Sequence, residues 1–323
     1  MKRSVTLGLV QMAMGPEREA NLERAFAFAR QAREQGAELI VFPELFSGRF
    51  FCKELDPRHT ALAEPIPGPL CDRLAGLARE LEAVVAGSLF ERVRDGVYFN
   101  TAVVLERDGT LLGRSRKMHI PMDPGYLEKY YFTPGDTDYP VFRTSLLDLA
   151  VPTCWDQWFP EPARIYGLKG AELIVYPSAI GTLPGDPYDD AVDTWRVAMR
   201  GHAVCNALYV AAVNRVGDED GMTFYGHTFV ARPDGRVIAE AGEGEQVLLA
   251  RLGAERIAHT RTLSLFYRDR RPETYGGILR QTLDGDETDT GETDTGETVG
   301  DETVGDAAAD GDGDRAEPVP PGG

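Results

Sequence analysis

Residues 39–42 read Leu-Ile-Val-Phe, apolar without a break, and pass at once into Pro43 and Glu44. A strand with water on one face alternates apolar and polar side chains, so an unbroken run is a strand covered on both faces. A chain holding such a strand must supply a layer on either side of it. The flanking sequence offers them. Residues 5–10 form a first strand. Residues 22–35 repeat apolar positions at helical spacing, with Asn21 as a candidate cap and Gly36 as a stop. Further helices are expected at 69–81, 160–168 and 193–206, and further strands at 83–90, 101–105, 110–113, 146–151, 173–176, 209–213, 229–231, 236–239 and 247–252. Arg-Asp-Gly at 107–109 and Pro-Asp-Gly at 233–235 read as hairpin turns. Strands and helices alternate with hairpins mixed in, which predicts an α/β layered domain with mixed sheets. No breakpoint appears before about residue 280, so residues 1–280 are expected to form one domain.

Charge separates a second region. Of the formal net charge of -18, residues 284–323 carry -13, from fourteen acids and one arginine, which leaves -5 for the other 283 residues. Residues 281–323 repeat Thr-Gly-Glu and Val-Gly-Asp units with almost no apolar side chains, and are expected to be a disordered acidic tail. The remainder is mildly acidic and shows no basic patch for nucleic acid. Five lysines stand against 29 arginines, and with the acidic tail this suggests a salt-adapted protein. The N-terminal run 5–10 superficially resembles a signal peptide, but Gln11 breaks it and no small-residue cleavage site follows, so a strand is the better reading. No window approaches eighteen consecutive apolar residues, so no membrane span is expected. Four cysteines in 323 residues make no disulfide framework, which points to a reducing, cytoplasmic setting. His59, His119, His202, His227 and His259 are scattered and no Cys-x-x-Cys pair exists, so no zinc site is expected.

The chemistry centres on Val151-Pro-Thr-Cys-Trp-Asp-Gln-Trp158. Cys154 follows a strand and precedes a helix opened by Pro160, a corner that presents a side chain to a cleft. Read from the residues alone, it is either a buried structural thiol or a nucleophile in need of a base and a cation. Glu44, emerging from the apolar run 39–42, is a candidate base, because a charge there is costly without a partner or a task. Lys117 is a candidate cation, and His119, two residues on, is its rival.

Three segments together resemble the nitrilase (carbon–nitrogen hydrolase) superfamily over residues 4–275: Val41-Phe-Pro-Glu-Leu-Phe46, Gly113-Arg-Ser-Arg-Lys-Met-His-Ile-Pro121 and Cys154-Trp-Asp-Gln-Trp-Phe-Pro-Glu161. The resemblance implies a four-layer α-β-β-α sandwich that associates through its helix layers into at least a homodimer. It implies Glu44 as general base, Lys117 as oxyanion stabiliser, Cys154 as nucleophile and, from Tyr126-Leu-Glu-Lys-Tyr-Tyr131, Glu128 as a further active-site acid. Trp155, Ser178, Ala179 and Ile180 are the implied substrate contacts. Residues 195–217 and 223–229 resemble the branch that hydrolyses N-carbamoylputrescine, a small-molecule ureido substrate, without cofactor. An ω-amide, an N-carbamoyl amino acid, or a non-catalytic binding role on the same fold are the alternatives. Two departures stand out. Pro152 and Thr153 replace the usual Gly-rich, Ile-Cys approach to the nucleophile. Leu183 stands where relatives often carry an acid for the distal amine, a role Asp186, Asp189, Asp190 or Asp193 could take.

Overall fold

The computed structural model describes residues 4–184 and 191–282. The first half runs β1 (Ser4–Gln11), α1 (Arg18–Glu34), β2 (Leu39–Val41), α2 (Pro69–Leu81), β3 (Val84–Arg94), β4 (Val97–Leu105) and β5 (Leu111–Arg116). The second runs β6 (Phe142–Arg143), β7 (Asp148–Ala150), α3 (Pro160–Leu168), β8 (Leu173–Pro177), β9 (Gly181–Thr182), α4 (Ala191–Asn206) and β10 (Tyr209–Val213). It continues through β11 (Val216–Glu219), β12 (Met222–Tyr225), β13 (Phe229–Ala231), β14 (Val237–Glu240), β15 (Gln246–Gly253) and α5 (Ala254–Ser264). Two six-stranded sheets result, ordered β15-β1-β2-β3-β4-β5 and β14-β13-β10-β8-β7-β6, with a third sheet ordered β11-β12-β9. In each large sheet the central pairs are parallel, β1–β2–β3 and β7–β8–β10, and the flanking pairs are antiparallel.

The unbroken run at 39–42 is explained by two cores. Leu39 and Val41 join Leu7, Val84, Leu149, Val175 and Ala211 in a cluster between the two large sheets. Ile40 and Phe42 point the other way, onto Leu22, Ala25 and Ala29 of α1 and Leu74 and Leu77 of α2. The second sheet repeats the device. Leu173 and Val175 face inward, while Ile174 and Tyr176 meet Tyr166 of α3 and Trp195 and Met199 of α4. Period-two alternation therefore feeds two apolar layers per strand, and the order of layers is α-β-β-α. The parallel strands all end on loops that carry polar residues. Glu44 follows β2, Cys154 follows β7, Ser178 follows β8 and Asn214 follows β10. The carboxyl ends of parallel strands are where open α/β sheets bind ligands.

Several elements differ from expectation. Helix α1 starts at Arg18, with Glu17 at its cap position, so Asn21 lies inside the helix and does not cap it. Its buried amide instead holds the preceding loop, accepting from Gly15 N–H (2.7 Å) and donating to Gly15 C=O (2.9 Å). Gly36 does stop α1, at φ +96°, a conformation that favours glycine. Strands β3 and β4 extend to Arg94 and back from Val97 around an Asp-Gly turn, with residues 92–94 the exposed end of a hairpin whose polar residues conceal it in the sequence. Cys205, in the middle of the apolar-looking stretch His202-Ala-Val-Cys-Asn-Ala-Leu208, is exposed. Helix α4 buries Trp195, Met199, His202, Ala203 and Asn206, and position 205 falls off that face. Pro152 lies beyond the last paired residue of β7, Ala150, so its missing N–H costs the sheet nothing.

Met1 to Arg270 is one compact unit. Residues 271–282 belong to a second unit and form two short 3-10 turns, Pro272–Thr274 and Gly276–Leu279. The acidic segment from residue 283, and Asp186, Asp189 and Asp190, lie outside the described residues. Among the described residues no helix is long and apolar enough to cross a membrane.

Candidate active site

Lys117 leaves the end of β5 and is buried, with its ammonium between two carboxylates. Nζ donates to Glu44 Oε1 (2.9 Å) and to Glu128 Oε2 (2.6 Å), and all three side chains are fully buried. The Lys117 backbone is held by its N–H on Asn100 C=O (2.8 Å), and Asn100 Nδ2 donates to the same Glu44 oxygen (2.7 Å). Asn100 Oδ1 in turn accepts from Ser88 Oγ (2.7 Å). Strands β3 and β4 thus aim Glu44 from one side. Arg215 fixes it from the other. This fully buried guanidinium donates to the backbone carbonyls of Glu44 (2.6 Å) and Leu45 (3.2 Å), and pairs with Glu219 (2.8 Å). Glu219 also accepts from Phe50 N–H (2.6 Å). The turn carrying Glu44, with Leu45 at φ +48°, is therefore tied down at each end.

The electrostatics follow from this burial. Burial alone would push the Lys117 ammonium down, but Glu128 and Glu44 outweigh it and hold its pKa well above the ordinary value. Burial raises the Glu128 carboxyl to about 7, against the pull of Lys117. One ammonium cannot fully compensate two buried carboxylates, which is the physical reason for the shift. An unfolded glutamate titrates near about 4.3. Between these values the native state holds the extra proton, so stability from Glu128 is greatest at low pH and falls as pH rises through the window. Glu128→Gln removes this dependence. The unfolding midpoint of the variant minus that of the parent is expected to rise from about pH 5 to about pH 8, which parallel thermal scans measure.

Cys154 opens a 3-10 turn, Cys154–Trp158, with φ +42°. Its side chain is buried. Burial raises the thiol well above its ordinary pKa, Glu44 adds to the rise, and Lys117 and the Ala179 N–H partly offset it. The group therefore rests as a thiol, and to act as a nucleophile it would have to give up its proton. Asp156 holds the turn to the lysine segment. Its carboxylate accepts from Thr153 N–H (3.2 Å), Met118 N–H (3.2 Å), His119 N–H (2.8 Å) and His119 Nδ1 (2.8 Å). His119 also stacks on Phe159, with centroids 3.8 Å apart. That resolves the rivalry between His119 and Lys117. The histidine braces Asp156, while the lysine meets Glu44 and Glu128.

The four expected catalytic residues come together, and the expected substrate contacts divide. Ala179 presents its N–H toward Cys154. Ile180 is held by Asn214, which accepts from its N–H and donates to its C=O, both at 2.9 Å. Ser178 is scaffold, since Oγ donates to Tyr176 C=O (3.1 Å) and its carbonyl accepts from Glu44 N–H (3.4 Å). Trp155 is half-buried, edge-on to Trp158 and Phe159. Leu183 joins Tyr126, Met222 and Phe224 in an apolar cluster. Gly125 permits the contact, for a Cβ there would lie 2.9 Å from Leu183 Cδ1 and 3.0 Å from Met222 Cε. Asp193 is exposed and pairs with Arg196 (2.5 Å). Tyr126 was not anticipated. Its hydroxyl donates to Gly181 C=O (3.1 Å) and accepts from Gly181 N–H (2.9 Å), which joins the Glu128 loop to β9.

A cavity of about 350 Å³, lined in part by Leu45, Phe50, Phe51, His59 and Phe90, contains none of the four residues. Among the described residues Glu54, Asp56 and His59 bring possible metal-ligand atoms within 4.8 Å of one another. Asp56 is engaged by Arg58 (2.8 Å) and Glu54 by His59 (3.0 Å), and none of the three belongs to the Cys154 cluster.

The carbon-nitrogen hydrolase family pattern matches residues 6–262. An N-carbamoylputrescine amidase of Solanum lycopersicum is 42% identical over 293 residues, covering 88% of this chain and 97% of the relative. A citrullinase of Francisella tularensis is 38% identical over 284 residues, covering 86% and 99%. The crystal structure of a carbon-nitrogen hydrolase from Helicobacter pylori matches with a TM-score of 0.84 at 38% identity, covering 87% of this chain and all of that one.

Proposed function

This chain belongs to the carbon–nitrogen hydrolase family, and from that premise we propose that it hydrolyses the terminal ureido group of N-carbamoylputrescine by way of a covalent thioester-type intermediate on Cys154. It is a hydrolase of carbon–nitrogen bonds. The observation that carries the reading is the fully buried Glu44–Lys117–Glu128 cluster beside a thiol that burial keeps protonated.

The chemistry runs as follows. Glu44 takes the thiol proton as the sulfur attacks the carbamoyl carbon. The developing oxyanion meets the Lys117 ammonium and the Trp155 N–H, groups already oriented before reaction. Glu44 returns the proton to the departing ammonia. It then removes a proton from water, which attacks the N-alkylcarbamoyl-enzyme and frees the thiol. The carbamic acid released loses carbon dioxide to give the amine. Glu128 keeps Lys117 in place and charged through both steps. Domain use is simple on this reading, with the chemistry in residues 1–280 and the acidic segment 281–323 an appendage. Exposed apolar side chains on the outer helices, Leu168, Val197 and Leu263, support assembly into at least a homodimer. Three buried free cysteines support a reducing, cytoplasmic setting.

Leu183 favours a second reading. An apolar wall there suits an uncharged distal group, as in an ω-amide or a neutral ureide. Ammonia release over N-carbamoylputrescine, N-carbamoyl-β-alanine, citrulline and aliphatic ω-amides, in low and molar salt, tests both. N-carbamoylputrescine is expected to have the highest kcat/KM. No release from any of them by folded protein overturns the enzymatic role, and preference for another substrate overturns the choice of substrate alone.

A further inference from the structure

Glu44 Oε2, Glu128 Oε1 and Tyr225 Oη are all buried without a hydrogen-bond partner. All three groups lie within electrostatic range of Cys154. The two carboxylates already have tasks in the proposed reaction, Glu44 as base and Glu128 as the support of Lys117. The tyrosine has none, and a buried hydroxyl without a partner is a cost that a fold seldom carries idly.

Tyr225 cannot swing away to find a partner. Its ring lies against Trp195, with centroids 5.9 Å apart, and Trp195 is itself held by its indole N–H on Gln157 Oε1 (2.6 Å). Strand β12 fixes its backbone opposite Val216. The next residue, Gly226 at φ +71°, lies so close to Val216 and Gln11 that an added Cβ would come within 2.6 Å of Val216 Cγ1. Gly226 C=O accepts from Asn214 Nδ2 (3.1 Å), the amide that also holds Ile180. Tyr225 and the Ala179–Ile180 segment beside the sulfur therefore share one rigid support. Burial, with Tyr126 and Cys154 adding to it, raises the phenol pKa, so the hydroxyl stays neutral and keeps its lone pairs for a donor.

A terminal ureide, R–NH–CO–NH2, brings three polar groups to this site. The carbonyl oxygen belongs with Lys117 and the leaving nitrogen with Glu44. The internal N–H remains, and it is the one polar feature that separates a ureide from the ω-amide in which CH2 replaces it. We propose that Tyr225 Oη accepts a hydrogen bond from the internal N–H of the ureido group and so selects ureides over isosteric amides. This inference rests on the carbamoyl-hydrolase reading above.

The test compares N-carbamoylputrescine with 6-aminohexanamide, which differs from it only by CH2 for NH, on the parent enzyme and on Tyr225→Phe. Phenylalanine keeps the packing on Trp195, and deletion of an unpaired buried hydroxyl is neutral or stabilising for the fold. Any inactive fraction cancels in the ratio of the two kcat/KM values. The variant is expected to lose about ten-fold or more on the ureide and less than about three-fold on the amide. An unchanged ratio, or an equal fall on both substrates, overturns the inference while the parent's preference for the ureide leaves the carbamoyl reading standing. A parent enzyme that prefers the amide overturns both.

Discussion

Cys154→Ala is expected to abolish ammonia release, by at least about 10⁴-fold in kcat, while the protein keeps its fold. The chemical step has no other nucleophile on this reading. Cys52 is buried, and burial raises its thiol well above the ordinary value as well. The fold survives because the substitution changes little else. The turn at 154 has φ +42°, which an alanine adopts at the same backbone cost as a cysteine. Asp156 and its four donors, which hold the turn, are untouched. Loss of one small buried group costs about 1 kcal/mol. Steady-state ammonia release and the unfolding midpoint, measured on the same preparation, check both halves. Appreciable turnover in the variant would reject Cys154 as the nucleophile.

Lys117→Met is expected to be damaging in two distinguishable ways. It removes the oxyanion partner proposed above, with a loss in kcat of about 10²–10³-fold or more. It also leaves Glu44 and Glu128 buried with no ammonium between them. Breaking a buried pair by removing one partner costs about 3–5 kcal/mol, against about 0.5 kcal/mol for a solvated lysine at a strand end. Glu128, whose folded pKa already lies above the unfolded value of about 4.3, then escapes the penalty by taking up a proton, so the native state of the variant binds more protons and its stability falls as pH rises. Denaturant unfolding at about pH 5 and about pH 8 is expected to show a deficit against the parent that is larger at the higher pH. A deficit that does not change with pH would place the lysine outside the carboxylate pair.

The sequence made some of this readable and concealed the rest for physical reasons. The unbroken apolar run at 39–42 declared a strand covered on both faces, the strand expected at 173–176 repeats the device, and the cores on either side of each sheet account for both. Glu44 was legible because a charge straight after such a run demands a partner. Asn214 and Arg215 follow residues 209–213 in the same way, and the same signal would have found them. Arg215 turns out to hold the carbonyl of Glu44, and Asn214 the segment beside Cys154. Helix α5 escaped notice because only Ile257 on it is buried, which leaves no helical stripe to detect. The β11–β12 hairpin turns at Asp220-Gly221 between short strands whose polar residues read as loop. Asp156 lies two residues after Cys154, but its reach across to Met118 and His119 depends on pairings between distant elements, which no local pattern carries.

The small sheet β11-β12-β9 supplies none of the four reactive groups. It carries Tyr225 and Met222, and its strand β9 leads directly to Leu183. On the function proposed above, the reacting groups hang from the two large sheets with deep cores, and the side chains that would meet the substrate's tail are borne by a separate, slighter one. Side chains on the small sheet would then be exchangeable, and the substrate with them, while the machinery that cuts the bond stays unaltered. Leu183 is what one such exchange would look like.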